Sequence, residues 1–244
     1  LMERRTGASV RAAIEQFQRA IKLDPAYPLA HVGLAHAYSL LPTYADVSAD
    51  EAMPRARKSV DEALRLDGNL AEAHALLGII LTEYDWDWVA AERAFRRAVQ
   101  LNPNYAEAHK LYGEYLSYVG RFEEAISQVQ LARELDPVSI VPSALLGTVL
   151  YRARRYPEAL EQLQRTVDRN PSHPMAYLPL GLAYSQVGQH QEAIAALTKG
   201  RALSGDNSEM VALLGYVSAR AGRSAQARAI LQELTARARQ QYVS

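Results

Sequence analysis

The chain contains no cysteine in 244 residues, which excludes disulfides and thiolate chemistry and leaves the redox compartment open. Neither charge is in excess: 27 lysines and arginines face 27 aspartates and glutamates, so no global field draws the chain toward nucleic acid or an anionic membrane. No apolar run approaches the roughly 18 residues of a membrane span. The opening Leu1-Met2-Glu3-Arg4-Arg5 lacks the apolar core of a secretory leader. A glycine-rich phosphate loop, a nucleophile elbow and a His-Glu-x-x-His pair are all missing. Of the six histidines, His74 and His109 share one packing position in Ala-Glu-Ala-His, and His31 and His36, five apart, do not share a face for a metal. Acidic pairs such as Glu123-Glu124 sit at helix starts, where they complement the dipole. These absences point away from an enzyme and imply neither cofactor nor metal.

What is present is a period. Glycines recur at 33, 78, 113, 147, 181 and 215, at intervals of 45, 35, 34, 34 and 34. A spacing near 34 marks an array of two-helix units. A small–x3–large pair follows each glycine at about twelve residues in most units, and one more precedes the first glycine: Ala13/Phe17, Ala56/Val60, Ala91/Phe95, Ala125/Val129, Ala159/Leu163, Ala193/Leu197 and Ala227/Leu231. Units close on Pro25, Pro103, Pro137 or Pro171, or on Gly68 or Gly205. Mid-helix glycine costs about 1 kcal/mol relative to alanine, so one kept in six units needs a packing reason, the close approach of a partner helix. Gly120, Gly188 and Gly222 supply the left-handed residue that ends a helix. Asp24-Pro25, Asn102-Pro103, Asp136-Pro137 and Asn170-Pro171 stop the second helices.

This pattern resembles the tetratricopeptide repeat over nearly the whole chain. The resemblance implies an all-α, right-handed superhelical solenoid: a half repeat at 9–25, then repeats at about 26–68, 69–103, 104–137, 138–171, 172–205 and 206–242. Both ends fall inside the array, so the chain is expected to be a piece of a longer protein. The wording of Tyr84-Asp85-Trp86-Asp87-Trp88, of Ala91 to Ala98, of Leu101-Asn102-Pro103-Asn104-Tyr105, of Leu203-Ser204-Gly205-Asp206-Asn207 and of the opening Arg5-Thr6-x-x-Ser9 is similar to the C-terminal repeats of bacterial multidomain signalling proteins. Those carry a winged-helix regulator, a nucleotide cyclase or a eukaryotic-like Ser/Thr kinase domain. The resemblance implies a regulatory interaction module in the cytoplasm, or in the periplasm if the parent chain has a membrane span. It transfers no catalytic residue.

Two segments depart from the period. Gly33 to Ala56 spans 23 residues where 12 is usual, and Ser48-x-x-Glu51 has capping-box spacing, so the next helix is expected near Ser48 with Pro54 kinking it or marking its first turn. The surplus is either a lengthened helix with a surface loop or a functional insertion. The turn at Tyr84 to Trp88 is one residue long of the standard, and its two tryptophans either plug the elbow or form a binding hot spot.

In the family the first helices line a concave groove, at six and three residues before the glycine and one, four and five after it. The first unit then contributes Tyr27, Ala30, Leu34, Ala37 and Tyr38. Later units contribute Glu72, Glu83, Glu107, Lys110, Glu114, Tyr118, Tyr151, Arg152, Leu178, Gln186, Tyr216 and Arg220. The tyrosines offer area with a polar tip; the glutamates make the middle acidic and the two arginines make the later part basic. A protein or peptide partner is expected, with no nucleic acid and no membrane insertion. Lys110 lacks the accompanying asparagines of the family's chaperone-binding carboxylate clamp, which argues against that partner. The alternatives are a small-molecule pocket, between first helices or near Pro42–Pro54, and self-assembly through the end helices.

Overall fold

The computed structural model describes residues 7–44, 47–204 and 208–239. Arg5-Thr6, Ala45-Asp46 of the surplus segment, the closing turn Gly205-Asp206-Asn207 and Tyr242 lie outside these. The described residues form thirteen α-helices: α1 (Gly7–Leu23), α2 (Pro28–Tyr44), α3 (Ala49–Leu66), α4 (Ala71–Glu83), α5 (Trp88–Leu101), α6 (Ala106–Tyr118), α7 (Phe122–Leu135), α8 (Val141–Arg152), α9 (Tyr156–Arg169), α10 (Tyr177–Gln186), α11 (His190–Ser204), α12 (Ser208–Arg220) and α13 (Ser224–Ala238). A 3-10 turn, Pro174–Ala176, precedes α10. The helices pair as the period predicts, and each pair is one repeat.

Local chemistry sets the boundaries. Asp67, Asn102, Asp136 and Asn170 end α3, α5, α7 and α9 in non-helical conformations. Asp24 accepts from the Ala26 amide (3.0 Å), and Asn102 from the Asn104 amide (3.1 Å), folding the chain after the helix into Asx turns. Gly120, Gly188 and Gly222 have φ of +80°, +80° and +76° at the elbows inside repeats. The surplus segment is taken up by helix: α2 and α3 run 17 and 18 residues, with Pro42 in the last turn of α2. Ser48 caps α3, its hydroxyl accepting from the Glu51 amide, and Pro54 lies within that helix rather than at its start.

The chain divides into two compact units, residues 1–115 and 116–243. In the first, Val10 of α1, Leu34, Ala35, Tyr38 and Leu41 of α2, Ala52, Ala56 and Val60 of α3 and Leu76 and Ile80 of α4 form one core. The ring of Phe95, packed against Gly78, stacks on Tyr112 at 6.0 Å and meets Tyr115 at 5.4 Å. In the second unit, Ala193, Ile194 and Leu197 of α11 pack with Met210, Val211, Leu214 and Val217 of α12 and Ile230 of α13.

The glycines admit the neighbouring helix within a repeat as expected, with one correction of register. A β-carbon on Gly78, Gly147 or Gly181 would collide with Phe95, Leu163 or Leu197, and one on Gly215 would press on Ile230, each on the following helix. Gly33 instead receives Phe17, from the preceding helix. The closing turns explain why. His74, His109 and Tyr177 each reach back six residues to the carbonyl of Gly68, Pro103 or Pro171, at 3.0, 2.8 and 2.8 Å, and the packing glycine follows four residues later. His31 makes the same contact with Pro25 at 3.0 Å, and four residues on stands Ala35, not Gly33. Ala35 is 1% exposed in the first core. The position equivalent to the packing glycine is therefore alanine in the first repeat, and Gly33 is a separate glycine that makes room for Phe17.

Candidate functional site

A two-residue change of register turns a helical position by about 200°. For the first repeat it moves the groove positions from Tyr27, Ala30, Leu34, Ala37 and Tyr38 to Leu29, Val32, His36, Ser39 and Leu40. Burial follows the corrected set: Leu29 is exposed and the other four are half-buried, whereas Ala30, Leu34, Ala37 and Tyr38 are buried. The Tyr38 hydroxyl accepts from Gln18 Nε2 (3.1 Å), and its ring lies 5.9 Å from the Arg55 guanidinium. Tyr27 is exposed in the turn before α2.

In the remainder of the first unit, glutamates on the first helices share a neighbourhood. Glu72 and Glu107 both act on Tyr105, whose phenol is pushed up chiefly by burial and then by these two charges. Lys110 is buried and donates to Glu107 at 2.5 Å. Glu83 reaches water yet stands among protein atoms; loss of hydration first, and the Glu114 charge second, raise it to about 7. Its open surface governs screening and keeps the energetic consequence small.

The second unit brings cation and aromatics together. Arg152 Nη1 donates to the buried Ser117 Oγ at 2.7 Å, and its guanidinium lies 4.5 Å from the centre of the Tyr118 ring, which is 43% exposed. One repeat later, Gln186 Nε2 donates to the Tyr151 hydroxyl at 3.5 Å, and Tyr151 packs on Tyr156 at 5.7 Å. Both hydrogen bonds span 35 residues, so the residue five after a packing glycine holds the residue four after the previous one. Ser117, Tyr151, Arg152 and Gln186 thus form two such contacts on consecutive first helices, with the Tyr118 ring against Arg152. Arg220 donates to Tyr216 on its own helix (3.2 Å), and both are exposed. Leu178 is half-buried against the α11–α12 core. Tyr105 and Tyr156 were not legible as neighbours of the site, because both lie outside the positions counted from the glycines.

Two further features lie in the first unit. A cleft of about 930 Å³ is lined by His31, Leu34 and Tyr38 of α2, by Pro54, Arg55, Lys58 and Glu62 of α3, and by Tyr84. The two tryptophans separate: Trp88 is half-buried beside Tyr115, and Trp86 stands 67% exposed. No group of three or more potential metal ligands occurs among the described residues, and no described helix is long and apolar enough to cross a membrane.

Repeated helix pairs, in which a small residue of the first helix receives a large side chain of the second, define a helical-repeat protein. Models of the tetratricopeptide repeat match residues 87–140 and 145–207, 184–244 and, as the TPR repeat, 10–41. The chain belongs to the tetratricopeptide repeat family, whose repeats are protein–protein interaction modules. It is 25% identical over 216 residues to the TPR repeat-containing protein YpiA of Bacillus subtilis, covering 87% of this chain and 48% of that one. It is 34% identical over 93 residues to the Hsp70-Hsp90 organizing protein of Triticum aestivum, covering 38% of this chain and 16% of the wheat protein. The chain thus spans less than half the length of either relative. Among solved structures, the APC/C hetero-tetramer Cut9–Hcn1 superposes with a TM-score of 0.76 at 16% identity, over 92% of this chain and 42% of that one, a likeness of fold.

Proposed function

We propose that the chain is a non-catalytic interaction module of a bacterial regulatory or signalling protein, and that it binds an extended peptide or a partner helix along its first helices. The observation that carries this reading is the Tyr118–Arg152–Ser117 cluster with Tyr151 and Gln186 on the next helices. There a guanidinium is held by a buried hydroxyl and an exposed ring, with no carboxylate partner among the described residues. Aromatics with polar tips and arginine are the residues that dominate binding hot spots. The glutamates of the first unit favour a basic stretch of the partner, and Arg152 and Arg220 an acidic one. Although one relative is named for Hsp70 and Hsp90, Lys110 is buried and committed to Glu107, which disfavours a carboxylate clamp at that position.

The test begins with a displayed peptide library selected on the native chain. The joint variant Tyr118→Ala/Tyr151→Ala is expected to weaken the selected peptides by about tenfold or more, with unchanged helical circular dichroism. Unchanged affinity removes the groove assignment.

The 930 Å³ cleft beside α3 favours a second reading, a small-molecule sensor, because its volume suits a metabolite and its lining mixes rings, guanidinium and carboxylate. A ligand bound only by the folded chain raises the melting temperature. A metabolite whose stabilisation is lost in Lys58→Glu supports this reading; no shift across a broad metabolite panel removes it.

A further inference from the structure

The elbow inside each of five repeats places one residue in the left-handed region, five positions before the small residue of the following helix. It is glycine at Gly120, Gly188 and Gly222, arginine at Arg154 (φ +61°) and tryptophan at Trp86 (φ +56°). A β-carbon is disfavoured there, and a bulky residue most of all. A tryptophan in a glycine position is a local cost, and backbone outliers of this kind cluster at functional sites.

The packing of Trp86 does not account for it. Its indole is 67% exposed and touches Trp88 edge-on at 6.0 Å. Trp88 is the ring that fills the elbow: it lies 6.3 Å from Tyr115, whose hydroxyl donates to the Trp88 carbonyl at 2.8 Å, and Tyr115 in turn meets buried Phe95. Trp86 therefore stands outside a rigid aromatic base. The turn is pinned from the other side as well, because Asp85 accepts from Arg57 of α3 at 2.6 Å and Asp87 caps α5 through the Ala90 amide. Asp85 and Asp87 flank Trp86 in the chain, the first paired with Arg57 and the second at the start of α5. An open indole face with an aspartate on either side in the chain matches a cation with an apolar stem: the ring quadrupole attracts the charge and the aspartates favour it.

We propose that the Trp86 elbow is a second docking surface, apart from the first-helix groove, that takes an arginine or lysine side chain of a partner protein. Its rigidity lowers the ordering cost of binding.

The probe is a fluorescein-labelled hexa-arginine peptide, with hexa-glutamate as its charge-reversed control, followed by anisotropy on the full chain. Saturable binding of hexa-arginine alone is expected. Trp86→Gly should weaken it by about tenfold, since truncating a hot-spot tryptophan costs at least that much, while Trp86→Phe keeps part of the affinity. The melting temperature of Trp86→Gly should not fall, because glycine suits the left-handed turn. Glu72→Gln/Glu114→Gln, in the acidic part of the first-helix groove, should leave hexa-arginine binding unchanged, which separates this surface from the groove. Equal affinity in the native chain and Trp86→Gly, no binding of hexa-arginine, or equal binding of hexa-glutamate overturns the proposal. So does a drop in helicity and melting temperature in Trp86→Gly, which would make Trp86 a packing residue.

Discussion

Glycine performs two different tasks in this chain, and substitution separates them. At Gly78 an added β-carbon would lie 2.5 Å from the ring of Phe95, which is itself 2% exposed and held by two tyrosines. Overpacking of this kind costs about 1–3 kcal/mol against a helix-propensity gain of about 1 kcal/mol. Gly78→Ala should therefore lose up to about 2 kcal/mol in urea unfolding. At Gly120 a β-carbon meets nothing within 4 Å, yet φ is +80°, so Gly120→Ala should lose about 1 kcal/mol through the backbone alone. Glu83 supplies a pH signature. A carboxyl raised to about 7 in the folded chain from 4.5 binds more protons folded than unfolded between those values, so its contribution to stability falls as pH rises through that window. Glu83→Gln should accordingly stabilise the chain at pH 8, by less than about 1 kcal/mol given solvent screening, and have little effect at pH 4. A larger gain at pH 4 than at pH 8 would refute the assigned shift.

The helices show what a sequence can and cannot disclose. Caps and stops are local chemistry, so Ser48, the Asp-Pro and Asn-Pro closures and the elbow glycines were legible. Ser48→Ala should cost about 1 kcal/mol by leaving α3 uncapped, measurable as a lower melting temperature. The face that a helix turns inward depends on its partner, and there one glycine misleads. Gly33 continues the period by residue type but serves Phe17 of the preceding helix, and the equivalent of the packing glycine is Ala35. The decisive contact, His31 to the Pro25 carbonyl, repeats at His74 and His109 and was present in the sequence as a histidine six residues after three of the closing residues, Pro25, Gly68 and Pro103. The slip is what put Tyr38 among the groove candidates while its side chain packs in the core. The tryptophan elbow was legible as an irregularity, but not the division between a filling Trp88 and a projecting Trp86, which rests on the left-handed turn at Trp86.

For the whole molecule, the family and the class of activity follow from the repeat, whereas the partner depends on side chains that differ from repeat to repeat. The acidic first helices of the first unit and the cation–aromatic clusters of the second are built from such side chains, and they carry the proposed specificity. Because an electrostatic part of binding is screened by salt, peptides selected on the chain should associate more slowly at high ionic strength, with a smaller change in dissociation rate. Surface plasmon resonance between about 0.05 and 0.5 M salt (Debye lengths on the order of 14 and 4 Å) would show this; a salt-independent association rate would contradict steering by these charges. The most direct test of the central claim is a crystal structure of the chain with a selected peptide. The account predicts the peptide against Tyr118 at the end of α6 and against α8, α10 and α12, with Tyr151 and Arg152 also in contact with it; a peptide seated on α7, α9 and α11 instead would contradict it.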